Sequence, residues 1–191
     1  MDRGLIIMIF EDKQITLKDG RTGILRTPCV EDAQQLLDYI KTSFGETDFL
    51  SRYSEECDGM TLESERAWIE NGRKSPNILR IDCFVDGELA GNCEITFRSG
   101  IKMRHRATIG IAILKKYWNL GIGTAMFREL VAAAEARPET TLMELEFIEG
   151  NTRARALYEK FGFRIVAVRP NTFRLKDGRM LCEYFMQKEL K

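Results

Sequence analysis

Ile109-Gly-Ile-Ala-Ile113-Leu-Lys-Lys-Tyr-Trp118-Asn-Leu-Gly121-Ile-Gly123-Thr-Ala-Met126 runs on into Phe-Arg-Glu-Leu-Val-Ala-Ala-Ala-Glu-Ala136. The stretch reads as strand, short loop, helix. Ile109, Ile111 and Ile113 alternate with Gly110 and Ala112, the pattern of a buried strand with one bulky and one slim face. Lys115 to Leu120 break the alternation, and Gly121-Ile122-Gly123-Thr124 opens a run of Ala, Leu, Met and Glu, all strong helix formers. Met126, Leu130, Ala133 and Ala134 recur at helical spacing, and Arg137-Pro138 ends the run.

Two glycines at a helix start have a physical use. The first-turn N–H groups lack intrahelical partners and the helix dipole adds partial positive charge there. Without a Cβ the backbone can approach an anion closely, so a phosphate or pyrophosphate is a natural guest. The loop is not a Walker A sequence, because no Lys follows Gly123, and it lacks the third glycine of a dinucleotide fingerprint, where Met126 stands. The alternative is a tight strand-to-helix turn that binds nothing.

Downstream, Glu144 to Phe147 reads as the end of another strand, followed by Asn151-Thr-Arg-Ala154-Arg-Ala-Leu157-Tyr158-Glu-Lys-Phe161-Gly162-Phe163. Here the chain resembles the GNAT superfamily of N-acetyltransferases. That family pairs a Gln/Arg-x-x-Gly-x-Gly/Ala loop with a downstream Asn-x-x-Ala-x-x-Leu-Tyr-x-x-x-Gly-Phe helix. The second motif matches at Asn151, Ala154, Leu157, Tyr158, Gly162 and Phe163; the first matches at Gly121 and Gly123, with Trp118 in place of the usual Gln or Arg. That position supplies mainly backbone to the pyrophosphate, so the resemblance survives the change.

The resemblance covers about residues 22 to 190 and implies one N-acetyltransferase domain over 1–191, with 1–21 an added N-terminal strand segment. It implies an α/β (α+β) fold, a mixed and mostly antiparallel sheet flanked by helices, with a V-shaped split between the strands that precede the two motifs. It also implies acetyl-CoA as cosubstrate, held by Ile111, Ile113, Trp118, Asn119, Leu120, Gly121, Ile122, Gly123, Thr124, Asn151, Ala154 and Tyr158.

Length and composition agree with one soluble domain. The chain has 191 residues, 44% hydrophobic and 30% charged, with 29 basic against 29 acidic side chains. Zero net charge argues against bulk binding of nucleic acid or an anionic membrane. The basic run Lys102-Met-Arg104-His-Arg106 reads as a solvated strand start. Five cysteines, an odd count without a Cys-x-x-Cys pair, argue against a disulfide framework or zinc site and fit a reducing, cytoplasmic setting. A single His105 excludes a multi-His metal centre. Leu5 to Phe10 is apolar but too short to span a membrane, and reads as an added edge strand.

Along the chain, Gln14–Leu17 and Thr22–Arg26 read as a hairpin, and Val30–Ser43 as an amphipathic helix with Ala33, Leu36, Leu37 and Ile40 on one face. A second helix starts near Thr61 and runs to Gly72. Ile78–Val85 and Glu88–Phe97 are strands joined at Asp86-Gly87, Met103–Ile113 is the next, and Thr141–Phe147 follows the glycine-loop helix. The Asn151 helix reaches Phe161, and Arg164–Arg169 with Leu181–Gln187 close the chain as a strand pair.

Acetyl transfer from a thioester to an amine needs a neutral amine, donors for the oxyanion, and stabilisation of the departing thiolate. By resemblance, Tyr158 meets the last need. An unperturbed phenol titrates near pH ~10 against ~8.5 for a thiol, so hydrogen bonding matters more than full proton transfer. The resemblance also places the oxyanion donor on a backbone N–H near Ile113, and gives Asn151 the pantetheine or the adjacent backbone; Asn151 also suits a helix N-cap. For the base, Glu94 is preferred, on the strand face it shares with Asn92 and Thr96; Glu144, Glu146 and His105 are rivals. Tyr53 and Trp68 read either as substrate contacts or as packing aromatics.

These features point to direct acetyl transfer to a primary amine in a ternary complex, since no cysteine occupies a motif position. A small-molecule acceptor is preferred over a peptide N-terminus or a lysine, and a homodimer is expected from the apolar C-terminal strands with Phe173, Leu181, Tyr184, Phe185 and Met186. A non-catalytic acyl-CoA sensor and a transferase with a non-amine acceptor are the competing classes.

Overall fold

The computed structural model describes residues 7–190. Eight strands form one sheet: β1 (Lys13–Thr16), β2 (Thr22–Arg26), β3 (Ile78–Val85), β4 (Glu88–Phe97), β5 (Arg106–Ile113), β6 (Leu142–Ile148), β7 (Arg164–Arg174) and β8 (Met180–Glu189). Four helices accompany them: α1 (Ala33–Glu46), α2 (Leu62–Lys74), α3 (Ile122–Glu135) and α4 (Thr152–Lys160). The spatial order is β1-β2-β3-β4-β5-β6-β8-β7, with β5–β6 the parallel pair and its neighbours antiparallel.

Local chemistry accounts for the hairpin at the sheet's centre. Asp86 and Gly87 both have positive φ (53° and 80°), as a two-residue turn matching the strand twist requires. The alternation expected along β4 holds. Cys93, Ile95 and Phe97 are buried in the core with Ile81, Cys83, Ala107 and Ile109, beneath Met126, Phe127 and Leu130 of α3. Asn92, Glu94 and Thr96 point to the opposite face, which α1 and α2 cover over β3 and β4.

Two features of this sheet position the site. First, β5 and β6 pair only from Arg106↔Leu142 to Thr108↔Glu144 and then part, which is the expected split. Second, the face of β5, β6 and β8 opposite α3 is not covered by α1 and α2. Arg106, Thr108, Glu144, Glu146, Phe185 and Gln187 line a cleft there of about 290 Å³.

Several boundaries differ from expectation. Leu5 and Ile6 of the expected N-terminal strand lie outside the described residues, and Ile7 to Phe10 run without regular structure. The first strand is β1, at the sheet edge. The first helix is entered through a 3₁₀ turn at Val30–Asp32, because the Asp32 carboxylate is held by the Cys29 N–H (2.7 Å) and by Arg26 (2.6 Å). Residues 98–105 form turns rather than strand, so β5 starts at Arg106. Of the C-terminal apolar residues, Met186 is buried in the chain's own core and Tyr184 stacks on Phe147 at 5.1 Å.

Candidate active site

Alternation along β5 fixes where its backbone groups point. The Leu114 N–H donates to the Ala90 carbonyl and the Arg98 N–H to the Arg106 carbonyl, so even-numbered residues of β5 face β4. The His105 carbonyl accepts from the N–H groups of Thr141 and Leu142 across the other edge, so odd-numbered residues face β6. Beyond Thr108 the β6 ladder has ended. The amide and carbonyl of Ile111 and the amide of Ile113 therefore project into the split, an edge an extended ligand can pair with.

At the top of β5 the chain turns into α3. Gly121 is the N-cap with φ +96°, a conformation a side chain resists, and it offers no side chain to the first-turn amides. The first helical bond is from the Ala125 N–H to the Gly121 carbonyl, so the N–H groups of Ile122, Gly123 and Thr124 remain available to an anion. A Cβ at Gly123 would lie 3.2 Å from Ile113 Cδ1 and 3.3 Å from Leu157 Cδ2, so glycine lets the first turn of α3 pack closely on β5 and α4. Cationic side chains ring that turn. Arg153 stacks over the Trp118 ring at 3.8 Å, and Lys160 reaches Thr124 Oγ1 at 3.5 Å. Arg153 also bonds Asn119, which itself sits at φ 64°. Leu120 bonds the Lys18 N–H through its carbonyl. The Trp118 indole N–H donates to the Ile113 carbonyl at 2.7 Å. These residues suit a pyrophosphate on backbone amides beside an extended thioester arm.

Asn151 caps α4, accepting the Ala154 N–H at 3.2 Å, and stands at the upper end of the split. Its partner motif residue Tyr158 is buried against Phe127 (5.5 Å), Phe147 (6.0 Å) and Phe163 (6.5 Å). Burial pushes its phenol up to about 12. Among the described residues its hydroxyl has no hydrogen-bond partner.

The acidic candidates separate by their partners. Glu94 accepts from Arg80 Nε at 2.6 Å on one oxygen and from Thr96 Oγ1 at 2.8 Å on the other. Arg80 itself is buried, donates to the Trp68 carbonyl at 2.7 Å and lies 3.4 Å over the Trp68 ring. A Cβ at Gly72 would collide with that guanidinium at 1.9 Å, so α2 is built around it. Glu94 thus anchors a buried arginine, and Trp68 packs on that arginine. Glu144 is engaged on both oxygens, by Arg106 at 2.7 Å and Gln187 at 2.8 Å. His105 lies at the far end of β5 from Ile113, about 26 Å along the strand. Glu146 has no ion-pair partner among the described residues. It lies two residues past the last β5–β6 pair, at the solvent mouth of the cleft. Partial desolvation, and secondarily the like charge of Glu183, raise its carboxyl pKa.

Tyr53 sits at a second, smaller pocket with Thr47, Leu50, Ile148 and Phe173 near the top of the split. Its hydroxyl accepts the Lys176 N–H at 3.0 Å, tying the α1–α2 loop to the β7–β8 turn. All five cysteines are free; Cys57, Cys83 and Cys93 are buried. Among the described residues, no group of three metal-ligating side chains comes together and no helix is long and apolar enough to cross a membrane.

Residues 35–163 match the family model described as the acetyltransferase (GNAT) family. The chain belongs to the GNAT family of acetyltransferases. The GNAT match contains both the glycine loop and the Asn151–Phe163 motif. The L-amino acid N-acetyltransferase AaaT of Escherichia coli is 25% identical over 125 residues, 65% of this chain and 76% of that protein. A ribosomal protein alanine N-acetyltransferase of Escherichia coli is 38% identical over 69 residues, 36% of this chain and 46% of that protein. Among solved structures, a GNAT acetyltransferase from Streptococcus pneumoniae superimposes with a TM-score of 0.81 at 27% identity, over 88% of this chain and 99% of its own. An acetyltransferase from Salmonella typhimurium, described with its cofactor acetyl-CoA, shares the fold with a TM-score of 0.74 at 18% identity, over 88% of this chain and 94% of its own. Acetyl-CoA is the cosubstrate of GNAT enzymes, and the open backbone at Ile111, Ile113 and Gly121–Thr124 fits it.

Proposed function

We propose that the protein transfers an acetyl group directly from acetyl-CoA to the primary amine of a small molecule, with Glu146 as the base and Tyr158 as the group that stabilises the departing sulfur. The observation that carries this reading is Glu146: of Glu94, Glu144 and Glu146 it alone has no ion-pair partner among the described residues, and its raised pKa, from desolvation and the neighbouring Glu183, suits proton acceptance.

Acetyl-CoA supplies the activated acyl group. This chain's residues do the rest. The amides of Ile122, Gly123 and Thr124 hold phosphate, and the edge groups of Ile111 and Ile113 hold the extended arm. The amine approaches through the cleft beside Glu146. As its nitrogen bonds to the acyl carbon, the Ile113 N–H faces the oxygen that gains charge. The amine's proton passes to the Glu146 carboxylate, directly or through one water, and the Tyr158 O–H donates toward the sulfur as the C–S bond breaks. Glu94 takes a positioning role through Arg80 and α2. The acceptor class is supported by the cleft volume of about 290 Å³, which suits a molecule of amino-acid size, and by the relative named for L-amino acids.

The test is the pH profile of kcat/KM for the parent and Glu146→Gln. The parent should rise through an acidic limb above the ordinary carboxylate range, because a raised pKa delays formation of the base. Glu146→Gln should lose that limb and fall by about 10²–10⁴. A retained limb would remove Glu146 from the mechanism.

A further inference from the structure

A side chain from α1 enters the β4–β5 ladder at one place. Asn92 and Ala112 stand opposite each other in register, between the paired residues Gly91↔Ile113 and Cys93↔Ile111. By the alternation set at Arg106 and Leu114, the Asn92 N–H and the Ala112 carbonyl face each other. The Tyr39 hydroxyl of α1 sits between them. It accepts the Asn92 N–H at 3.2 Å and donates to the Ala112 carbonyl at 2.7 Å. Tyr39 is buried, so its ring and hydroxyl are held by the fold rather than by solvent.

The consequence falls on the next amide. The Ala112 carbonyl and the Ile113 N–H belong to one rigid peptide plane and point in opposite directions. A donor on the carbonyl fixes the plane and polarises the amide, which makes its N–H a stronger donor. That N–H projects into the split. The following peptide plane is held too: its Ile113 carbonyl accepts the Trp118 indole N–H at 2.7 Å, and its Leu114 N–H donates to the Ala90 carbonyl at 3.0 Å. The Ile113 amide is therefore clamped from both sides, by Tyr39 before it and Trp118 after it.

We infer that Tyr39 and Trp118 are positioning residues for the thioester carbonyl, aiming and polarising the Ile113 N–H through the two peptide planes that flank it. This rests on the proposed reading that the Ile113 N–H meets the acyl oxygen. It gives a reason for tryptophan in a loop position where the family pattern has Gln or Arg: the indole bonds the strand end instead of reaching toward the phosphates. It also links α1 to the strand that holds the acyl group.

The experiment uses acetyl-CoA labelled with ¹³C at the acyl carbonyl and difference infrared spectroscopy of the complex, alongside steady-state kinetics and calorimetric binding. Bound to the parent, the carbonyl stretch should shift to lower frequency than in free acetyl-CoA. Tyr39→Phe keeps the ring and deletes the bridging hydroxyl. It should shrink that shift and lower kcat by about tenfold, with the Kd for acetyl-CoA unchanged within about twofold. Trp118→Phe deletes the other clamp and should shrink the same shift; it serves if Tyr39→Phe does not fold. A parent shift that survives intact in both variants overturns the inference, even if kcat falls, because a purely structural role would lower turnover without touching the carbonyl. No shift in the parent overturns the Ile113 reading itself, which distinguishes the two failures.

Discussion

Tyr158→Phe separates catalysis from stability in one substitution. The change removes one oxygen from a ring packed 5.5 Å from Phe127 and 6.0 Å from Phe147. That oxygen makes no hydrogen bond among the described residues, so no partner is orphaned and stability should stay within about 1 kcal/mol of the parent. The catalytic effect follows from the pKa. At about 12, the phenol lies some ~3.5 units above an ordinary thiol, so complete proton transfer would be uphill by about 5 kcal/mol. The hydroxyl must act mainly as a hydrogen-bond donor to developing negative charge. Such charged hydrogen bonds contribute about 1.5–3 kcal/mol, which predicts a fall in kcat of roughly 10- to 150-fold. Binding of acetyl-CoA should change little, because only a contact that strengthens in the transition state alters the chemical step. The assay is single-turnover acetyl transfer with the best amine, with binding by calorimetry and Tm by scanning fluorimetry. Unchanged single-turnover rate would refute the role; a rate loss matched by loss of Tm would show that the packing estimate is wrong.

Three further outcomes follow. At a hundredfold excess over Kd, acetyl-CoA should stabilise the parent by about 2.7 kcal/mol, a Tm rise of about 5–10 °C. Gly123→Asp should abolish that rise, because it crowds Ile113 and Leu157 and puts a negative charge in the first turn that holds the phosphates. Asp82 is buried with one carboxylate oxygen unpartnered, and desolvation raises its pKa from 3.8 to about 7. The folded state then binds a proton that the unfolded state releases, so the parent should lose stability as pH rises from about 4 to 7. Chemical denaturation should show Asp82→Asn nearly matching the parent at pH 4 and exceeding it by about 1–3 kcal/mol at pH 8; parallel profiles would contradict this. The edge strand β7 exposes Val166 (46%) and Val168 (47%), and light scattering at micromolar concentration should give a dimer mass that Val168→Glu lowers to that of a monomer.

The fold was readable where periodicity and turn chemistry agree. Asp86-Gly87 marked the central hairpin, the alternating isoleucines marked β5, and the paired glycine loop and Asn151 motif marked the split between β5 and β6. The roles of the carboxylates were less accessible. A two-residue hairpin continued without interruption would put Arg80 opposite Cys93. A bulge between Cys83 and Phe84 moves the register by one residue and sets Arg80 opposite Glu94. No pattern in the sequence announces that bulge, so the ion pair that occupies Glu94 could not be foreseen. Tyr39 was hidden for a related reason. Helical spacing showed which residues of α1 meet the sheet, but not that one hydroxyl would enter the β4–β5 ladder. Trp118 was legible as a departure from the family pattern; its bond to Ile113 required the folded loop.

The central claim is direct acetyl transfer to an amine, and product analysis tests it most directly. The purified protein is incubated with acetyl-CoA and a panel of L-amino acids, diamines and short peptides with free N-termini, while free thiol, product mass and intact protein mass are followed together. The account predicts equal amounts of free thiol and acetylated small-molecule amine, with no acetyl group found on the protein before the amine is added. Acetyl-CoA that binds but supports no amine-dependent thiol release, or an acetylated protein that forms first and then donates to the amine, would contradict it.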